Sequence, residues 1–347
     1  MPQAREGGAA TGPAQAGWRA PDGHDAVARA RSPASVPGSA IAPRRIPARG
    51  WALILRRVGR RVMAGQLPLF TAGIAFFAVL SIAPVLVTAL SIYGAVNTPE
   101  QALEQLSSVA GMLPAQLESV VADQLITITA ASTQVLTLRG LTGLLFALST
   151  ATTAMTYLLD ALTLAYHETE TRGLLRRSGL ALTFVLGGAL LLGAVIALAG
   201  IMSRTLAEAP DPVRTVAHLL VWLTLTALMA AVLAVLYRVG PDRKRARWRW
   251  VSWGATAATV LWLTTSVALF AYVQRLGTYE STYGSLAGVA ISMLWLWISI
   301  FLILVGAAVN AEAERQTARD STVGPERPLG ERGAVVADSA APYPGEE

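Results

Sequence analysis

Two apolar runs near the carboxy terminus, Val251–Val273 and Leu286–Val309, limit what this chain can become. Each exceeds the roughly 20 residues that carry a helix across about 30 Å of hydrocarbon. The stretch between them, Gly277-Thr278-Tyr279-Glu280-Ser281-Thr282-Tyr283-Gly284-Ser285, is too short to fold alone. The two helices therefore lie antiparallel, as a transmembrane hairpin with a Tyr- and Gly-marked tip. Four earlier runs repeat the pattern. Spans are predicted over about 69–96, 141–165, 180–202, 216–239, 250–273 and 286–310. Composition agrees: 14% of residues are charged and 53% are hydrophobic. A soluble domain carries about 25% charged residues. The expected fold is an all-α membrane protein with six transmembrane helices, the spanning domain covering 49–314.

Between and around the spans, composition changes. Residues 1–48 are rich in Ala, Gly, Pro and Arg and poor in large apolar side chains. Such a segment cannot bury enough surface to offset its ordering entropy, so it reads as a disordered basic tail. It lacks the apolar stretch and cleavage site of a secretory signal. Residues 315–347, rich in Pro, Gly and charge, are expected to be a second disordered tail. Trp51 to Leu67 differ. Trp51, Leu55, Val58 and Val62 share one helical face, and Arg56, Arg57, Arg60 and Arg61 occupy the other side. That is an amphipathic helix suited to the membrane interface, with Trp51 at headgroup level. Residues 99–138 form the longest connection. Leu117, Val121, Leu125 and Ile128 recur there at helical spacing, with Gly111 and Pro114 dividing the segment. Two short amphipathic helices are predicted. Pro84 lies inside the first span, where a helix kink near Ser81 is expected. Gly187, Gly188 and Gly193 make the third span narrow enough for close helix contact.

Basic residues set the topology. Clusters precede the first span, then recur at Arg172, Arg176 and Arg177, at Arg243, Lys244, Arg245 and Arg247, and at Arg315 and Arg319. With six spans all of them fall on one side, leaving only Arg139, Arg204, Arg214 and Arg275 on the other. Cytoplasmic loops carry the excess of Lys and Arg, so both termini are expected inside. The formal net charge is +6. Because the positive residues sit beside apolar runs, anionic lipid headgroups are their expected partners and nucleic acid is not.

Ionisable groups at membrane depth are expensive, so each is a functional candidate. Asp160, about five residues inside the second span, is the clearest. Ser149, Thr152 and Thr153 could line a polar path with it, or bond back to their own helix carbonyls. Tyr279 and Tyr283 mark the hairpin tip as a gate or a tight loop. Asn310 and Glu312, ending the last span, read first as interface residues and second as part of the path. There is no cysteine. His24, His167 and His218 lie far apart, so neither a metal set nor a cofactor is expected. No Walker loop or His-Glu-x-x-His motif is present, and the loops are too short for a catalytic domain.

Four stretches carry a resemblance. They are Ala75-Phe76-Phe77-Ala78-Val79-Leu80-Ser81-Ile82-Ala83-Pro84; Ala161 to Tyr166 running on to Glu170-Thr171-Arg172 and Arg176-Arg177; Leu236-Tyr237-Arg238 with Pro241; and Tyr279 to Gly288 followed by Gly306-Ala307 and Asn310-Ala311-Glu312. Over about 56–315 the chain resembles the YihY/BrkB family of bacterial inner-membrane proteins, once also labelled ribonuclease BN. Thr163 stands where Asn is common in that family, and Phe76-Phe77 replace tyrosines. The resemblance implies a six-helix protein of the bacterial cytoplasmic membrane and no settled activity. The expected function is transport of an unidentified small-molecule solute, in a protein that is not an enzyme and that is compatible with a homo-oligomer. The alternatives are a non-transporting envelope, scaffold or virulence-associated protein, and, remotely, a tRNA-processing ribonuclease.

Overall fold

A computed structural model describes residues 43–46, 48–64, 66–96, 133–206, 209–275, 285–317 and 319–339. The expected amino-terminal tail up to residue 42, the surface helices of 99–132 and the hairpin tip at 276–284 lie outside these residues. A short turn, Pro43–Arg45, leads into α1 (Ala48–Ala64). The long helices are α2 (Leu67–Val96), α3 (Thr133–Ala165), α4 (Leu174–Leu206), α5 (Asp211–Val239), α6 (Trp248–Arg275) and α7 (Ser285–Arg315). A single turn, α8 (Val335–Asp338), closes the described chain. Six helices are long and apolar enough to cross a membrane, as predicted. Their ends run past the predicted spans because flanking polar turns join the same helices. Arg176 and Arg177, expected in a loop, stand in the first turn of α4.

The predicted apolar stripe of α1 divides, Leu55 being 58% exposed while the rest turns inward. Ile54, Val58 and Val62 are buried and α1 packs against α7. Trp51, expected among headgroups, lies with its ring centroid 5.7 Å from that of Trp253. The exposed stripe is Arg49, Arg56 and Arg60. In α2, the helix continues through Pro84. Hydroxyls bind carbonyls around it: Ser81 donates to Ala78 O at 2.7 Å and Thr88 to Pro84 O at 2.8 Å. Such side-chain bonds are how a spanning helix tolerates a proline.

The spans pack as a row: α4 on α3, α3 on α2, α2 on α7, α7 on α6, and α6 on α5, with α3 also touching α7. Packing is uneven along their length. One end, here called the charged end, holds α1, the 166–173 and 240–247 turns and the close of α7. Buried side chains gather there: Leu159, Leu162, Tyr166, Leu236, Tyr237, Trp250, Val251 and Leu304 are all at most 6% exposed. Toward the far end, among the described residues, the buried side chains thin out to Thr88 and Ala147.

Close approach at the charged end depends on two glycines. A Cβ on Gly254 would lie 2.2 Å from Gly306 O, and one on Gly306 would lie 2.5 Å from the Tyr237 hydroxyl. The α4 glycines do not act this way. A Cβ on Gly187, Gly188 or Gly193 meets nothing within 4 Å, so none of the described helices packs there.

The carboxy-terminal segment overturns an expectation. Far from being a disordered tail, residues 319–339 fold back over the turn between α5 and α6. Ala246 and Thr322 form an antiparallel bridge. Lys244 N donates to Gly333 O at 3.2 Å, and Val323 N to Arg245 O at 3.0 Å. Asp338 accepts the backbone N–H groups of Gly330, Arg332 and Gly333. Val336 and Ala337 are buried. Hydrogen bonds to polar turns hold this segment together with Val336, which enters the apolar core, and composition does not register those bonds.

Candidate functional site

The helix ends converge on a cluster of paired charges at the charged end. It begins where α3 stops. His167 adopts a left-handed φ of 61°. His167 N donates to Leu164 O and Glu168 N to Thr163 O, both at 3.0 Å. This is the Schellman arrangement, with a histidine at the position that usually takes glycine. The turn delivers the His167 ring to α1 and α7. Arg61 Nη1 lies 2.7 Å from His167 Nδ1, and Arg61 Nη2 donates to Leu164 O at 2.6 Å. His167 Nε2 lies 3.3 Å from Glu312 Oε1. Glu312 also accepts from Arg57 Nε at 2.8 Å and pairs with Arg315 at 3.1 Å.

A second pair is sealed from solvent. Arg243 Nη2 donates to Glu314 Oε1 at 2.8 Å, and the two side chains are 1% and 0% exposed. The Arg243 guanidinium stacks 4.4 Å from the centre of the Tyr166 ring. Ser321 Oγ donates to Glu314 Oε2 at 2.7 Å, joining the carboxy-terminal segment to α7. Burial pushes the Tyr166 phenol above its ordinary pKa, so it stays protonated. Around the third corner, Arg172 donates to both oxygens of Glu170, at 2.6 and 2.7 Å, and to Gly240 O at 2.9 Å. Thr171 donates to Asp242 Oδ2 from its amide and its hydroxyl. Burial alone would raise the Glu170 pKa, but the Arg172 bonds outweigh it and hold the carboxyl below its usual range. Asp242 is likewise held low, burial being outweighed by Thr171. Glu168 moves the other way: burial raises it, although Val335 N donates to its carboxylate at 2.6 Å.

Among the described residues, the candidates do not assemble into one polar path. Asp160 pairs with Arg177 of α4, and its Oδ1 is buried with no partner among the described residues. Ser149 donates to Phe146 O and Thr153 to Ser149 O, so these hydroxyls serve their own helix. Thr152 O accepts from Thr156 in the same way. Asn310 and Glu312 are 0% and 2% exposed, not interface residues. Asn310 ties α7 to α6, accepting from Gly254 N at 2.7 Å and donating to Val251 O at 3.1 Å. Tyr279 and Tyr283 lie outside the described residues.

The arginines expected to meet headgroups divide. Arg57, Arg61, Arg172, Arg177 and Arg243 bond within the protein as above, and Arg247 Nε donates to Thr322 O at 2.9 Å. Arg56, Arg60, Arg176 and Arg245 are exposed, and Lys244 is half-buried. The partners that sequence reasoning missed are Tyr166, His167, Glu170, Asp242, Glu314 and Ser321. One signal was present: acidic residues sit in the basic flanks themselves, where opposite charges pair rather than face lipid. Among the described residues no group of three or more His, Asp or Glu is placed to hold a metal ion. With its carboxylates paired, the cluster is a latch that holds helix ends together.

Comparisons with known proteins agree with this architecture. The profile of the virulence factor BrkB family matches residues 58–329. A ribonuclease-like protein of Bacillus subtilis, YfkH, is 29% identical over 175 residues, covering 49% of this chain and 63% of that protein. A UPF0761 membrane protein of Paraburkholderia xenovorans is 25% identical over 72% of this chain and 57% of its own length. One from Verminephrobacter eiseniae is 27% identical over 75% of this chain and 62% of its own. The matched region thus spans less than two thirds of each of these relatives. No solved structure matches. The match includes the carboxy-terminal segment as far as residue 329, in keeping with its packing against the latch. With six spanning helices and a family match over most of its length, the chain is a multi-pass membrane protein that belongs to the virulence factor BrkB family.

Proposed function

We propose that this protein is a permease-like carrier of the bacterial inner membrane, with its charged end in the cytoplasm. The orientation is supported by Arg56, Arg60, Arg176, Arg245 and Arg249, all exposed at that end, because the excess of Lys and Arg stays inside. There the Arg49, Arg56 and Arg60 stripe of α1 meets anionic headgroups. One observation supports the carrier reading: among the described residues, buried side chains gather at the charged end and thin out toward the far end. A bundle that only anchored or scaffolded would gain from packing along its full length. A bundle sealed more tightly at one end than at the other is what alternating access requires of one of its two states. Asp160 and Arg177 join α3 to α4 at the closed end, so opening there parts them.

The test is flux in liposomes holding the purified protein. The probes are radiolabelled amino acids, sugars and organic acids, and fluorescent phospholipids. At least one probe should move, and Asp160→Asn should change its rate several-fold while the melting temperature stays close to wild type. No movement of any probe, or movement indifferent to Asp160→Asn, contradicts the reading.

A further inference from the structure

We propose that residues 319–339 are a strap that holds the charged end shut, anchored on the α5–α6 turn and α7 and releasable from the α3–α4 turn where Val335 meets Glu168. The proposal rests on the carrier reading and deepens it by naming how the closed state is kept. The segment is built as a unit of its own. Gly324, Gly330 and Gly333 have φ of 120°, 94° and 71°, a region that side chains rarely enter, so the chain reverses there. Asp338 gathers three backbone N–H groups. Arg332, only 4% exposed, donates to Arg327 O at 3.1 Å and to Ala337 O at 2.8 Å. These bonds close the segment on itself, so it moves as one piece.

Its two attachments differ in kind. On the anchored side, Arg247 N donates to Ser321 O at 2.9 Å and Val323 N to Arg245 O at 3.0 Å, flanking the Ala246–Thr322 bridge. The Arg247 side chain adds bonds to Thr322 O and Gly324 O. Ser321 reaches the buried Glu314 carboxylate, and α8, with Val336 fully buried, packs on α7. On the other side, Val335 N donates to Glu168 Oε1 at 2.6 Å on an exposed rim. Water replaces an exposed hydrogen bond at small net cost, whereas a buried polar group loses its partner without compensation. The segment therefore stays with α6 and α7 when the helix ends part, and lets go at Glu168.

That bond crosses a line along which a carrier would open. The 166–173 turn joins α3 to α4, and the 240–247 turn joins α5 to α6. Between the two turns run the bonds of Arg172 to Gly240 O and of Thr171 to Asp242. The strap, carried by the 240–247 turn, adds a further tie through Glu168. Val335 is 46% exposed, so parting it from Glu168 uncovers little apolar surface. A tie of this kind sets the population of the closed state rather than the stability of the fold.

The absence of cysteine allows the separation of the two turns to be measured directly. Thr169→Cys on one and Arg245→Cys on the other, both exposed positions, carry nitroxides, and pulsed electron resonance reads their distance in nanodiscs. Two variants cut the tie from opposite sides. Glu168→Ala removes the acceptor. Val335→Pro removes the donor, at the first position of a helical turn that follows extended Ala334 (φ −151°, ψ 121°), where proline fits. Each should raise the population of wide separations several-fold with a melting temperature close to wild type. The double variant should match either single, because both remove the same bond. Separations unchanged from wild type, or effects that add in the double variant, overturn the strap. In liposomes, joining Thr169→Cys to Val335→Cys with a short bismaleimide should stop the same radiolabelled and fluorescent probes, and either single variant should speed them. Wide separations that obey the strap while no probe crosses leave the strap standing and sink the carrier reading. A probe that crosses equally fast with the strap joined does the reverse.

Discussion

At the scale of single residues, the latch is held by charges that cannot lose their partners. Arg243 and Glu314 are both inaccessible to solvent. Taking away one leaves the other buried and uncompensated, which costs about 3–5 kcal/mol. Arg243→Met and Glu314→Met should therefore each lower the melting temperature strongly in detergent. The double variant should recover much of the loss, because two apolar groups replace a desolvated pair. A double variant as unstable as the sum of the singles would contradict this view of the pair. Glu170 supplies a pH signature. Its folded-state pKa is depressed, so its contribution is present above the ordinary carboxylate value of about 4.3 and lost as pH falls through the depressed one. Glu170→Gln should melt below wild type at neutral pH, and the gap should close as the solution is acidified past that range. A gap that persists in acid would mean that packing, not charge, is what the substitution removed.

The same physics separates the helix faces that meet a neighbour from those that do not. Gly254 of α6 faces Gly306 of α7 with no room for a methyl group. Gly254→Ala forces the two backbones apart and should disrupt the α6–α7 hairpin, read as loss of folded protein on gel filtration. Gly193 of α4 meets nothing within 4 Å. Gly193→Ala should be neutral or stabilising by up to about 1 kcal/mol, through helix propensity alone. Equal effects at the two sites would refute the division between a glycine at a helix contact and one on an open face. The sequence marks both glycines identically, as small residues in apolar runs. What distinguishes them is a neighbour more than 50 positions away, Asn310 beside Gly254. Amphipathic periodicity likewise identified α1 correctly as a helix with one apolar face, but not that α7 would cover that face.

For the whole molecule, helix number and approximate ends were legible because spanning a bilayer is a local requirement on twenty-odd consecutive residues. Charge pairing was not, because Arg57 meets Glu312 and Arg243 meets Glu314 only after distant turns come together. The ordered carboxy-terminal segment was missed for a related reason. It is held by backbone bonds to the 240–247 turn and by Val336 in the core, while its polar composition resembles that of a free tail. The candidate path was read from residue type alone, and Ser149 and Thr153 answer to their own helix instead.

Topology underlies all of this: six spans place the charged end on one side of the membrane and the α4–α5 turn on the other. Single cysteines introduced into the cysteine-free chain report it directly. Asp211, whose side chain is 94% exposed, and Arg245, also exposed, mark the two ends. With a membrane-impermeant maleimide on intact spheroplasts, Asp211→Cys should label at once, and Arg245→Cys only after permeabilisation. Labelling of Arg245→Cys alone in intact spheroplasts would overturn the cytoplasmic placement of the charged end, and like labelling of both positions would overturn the span between them.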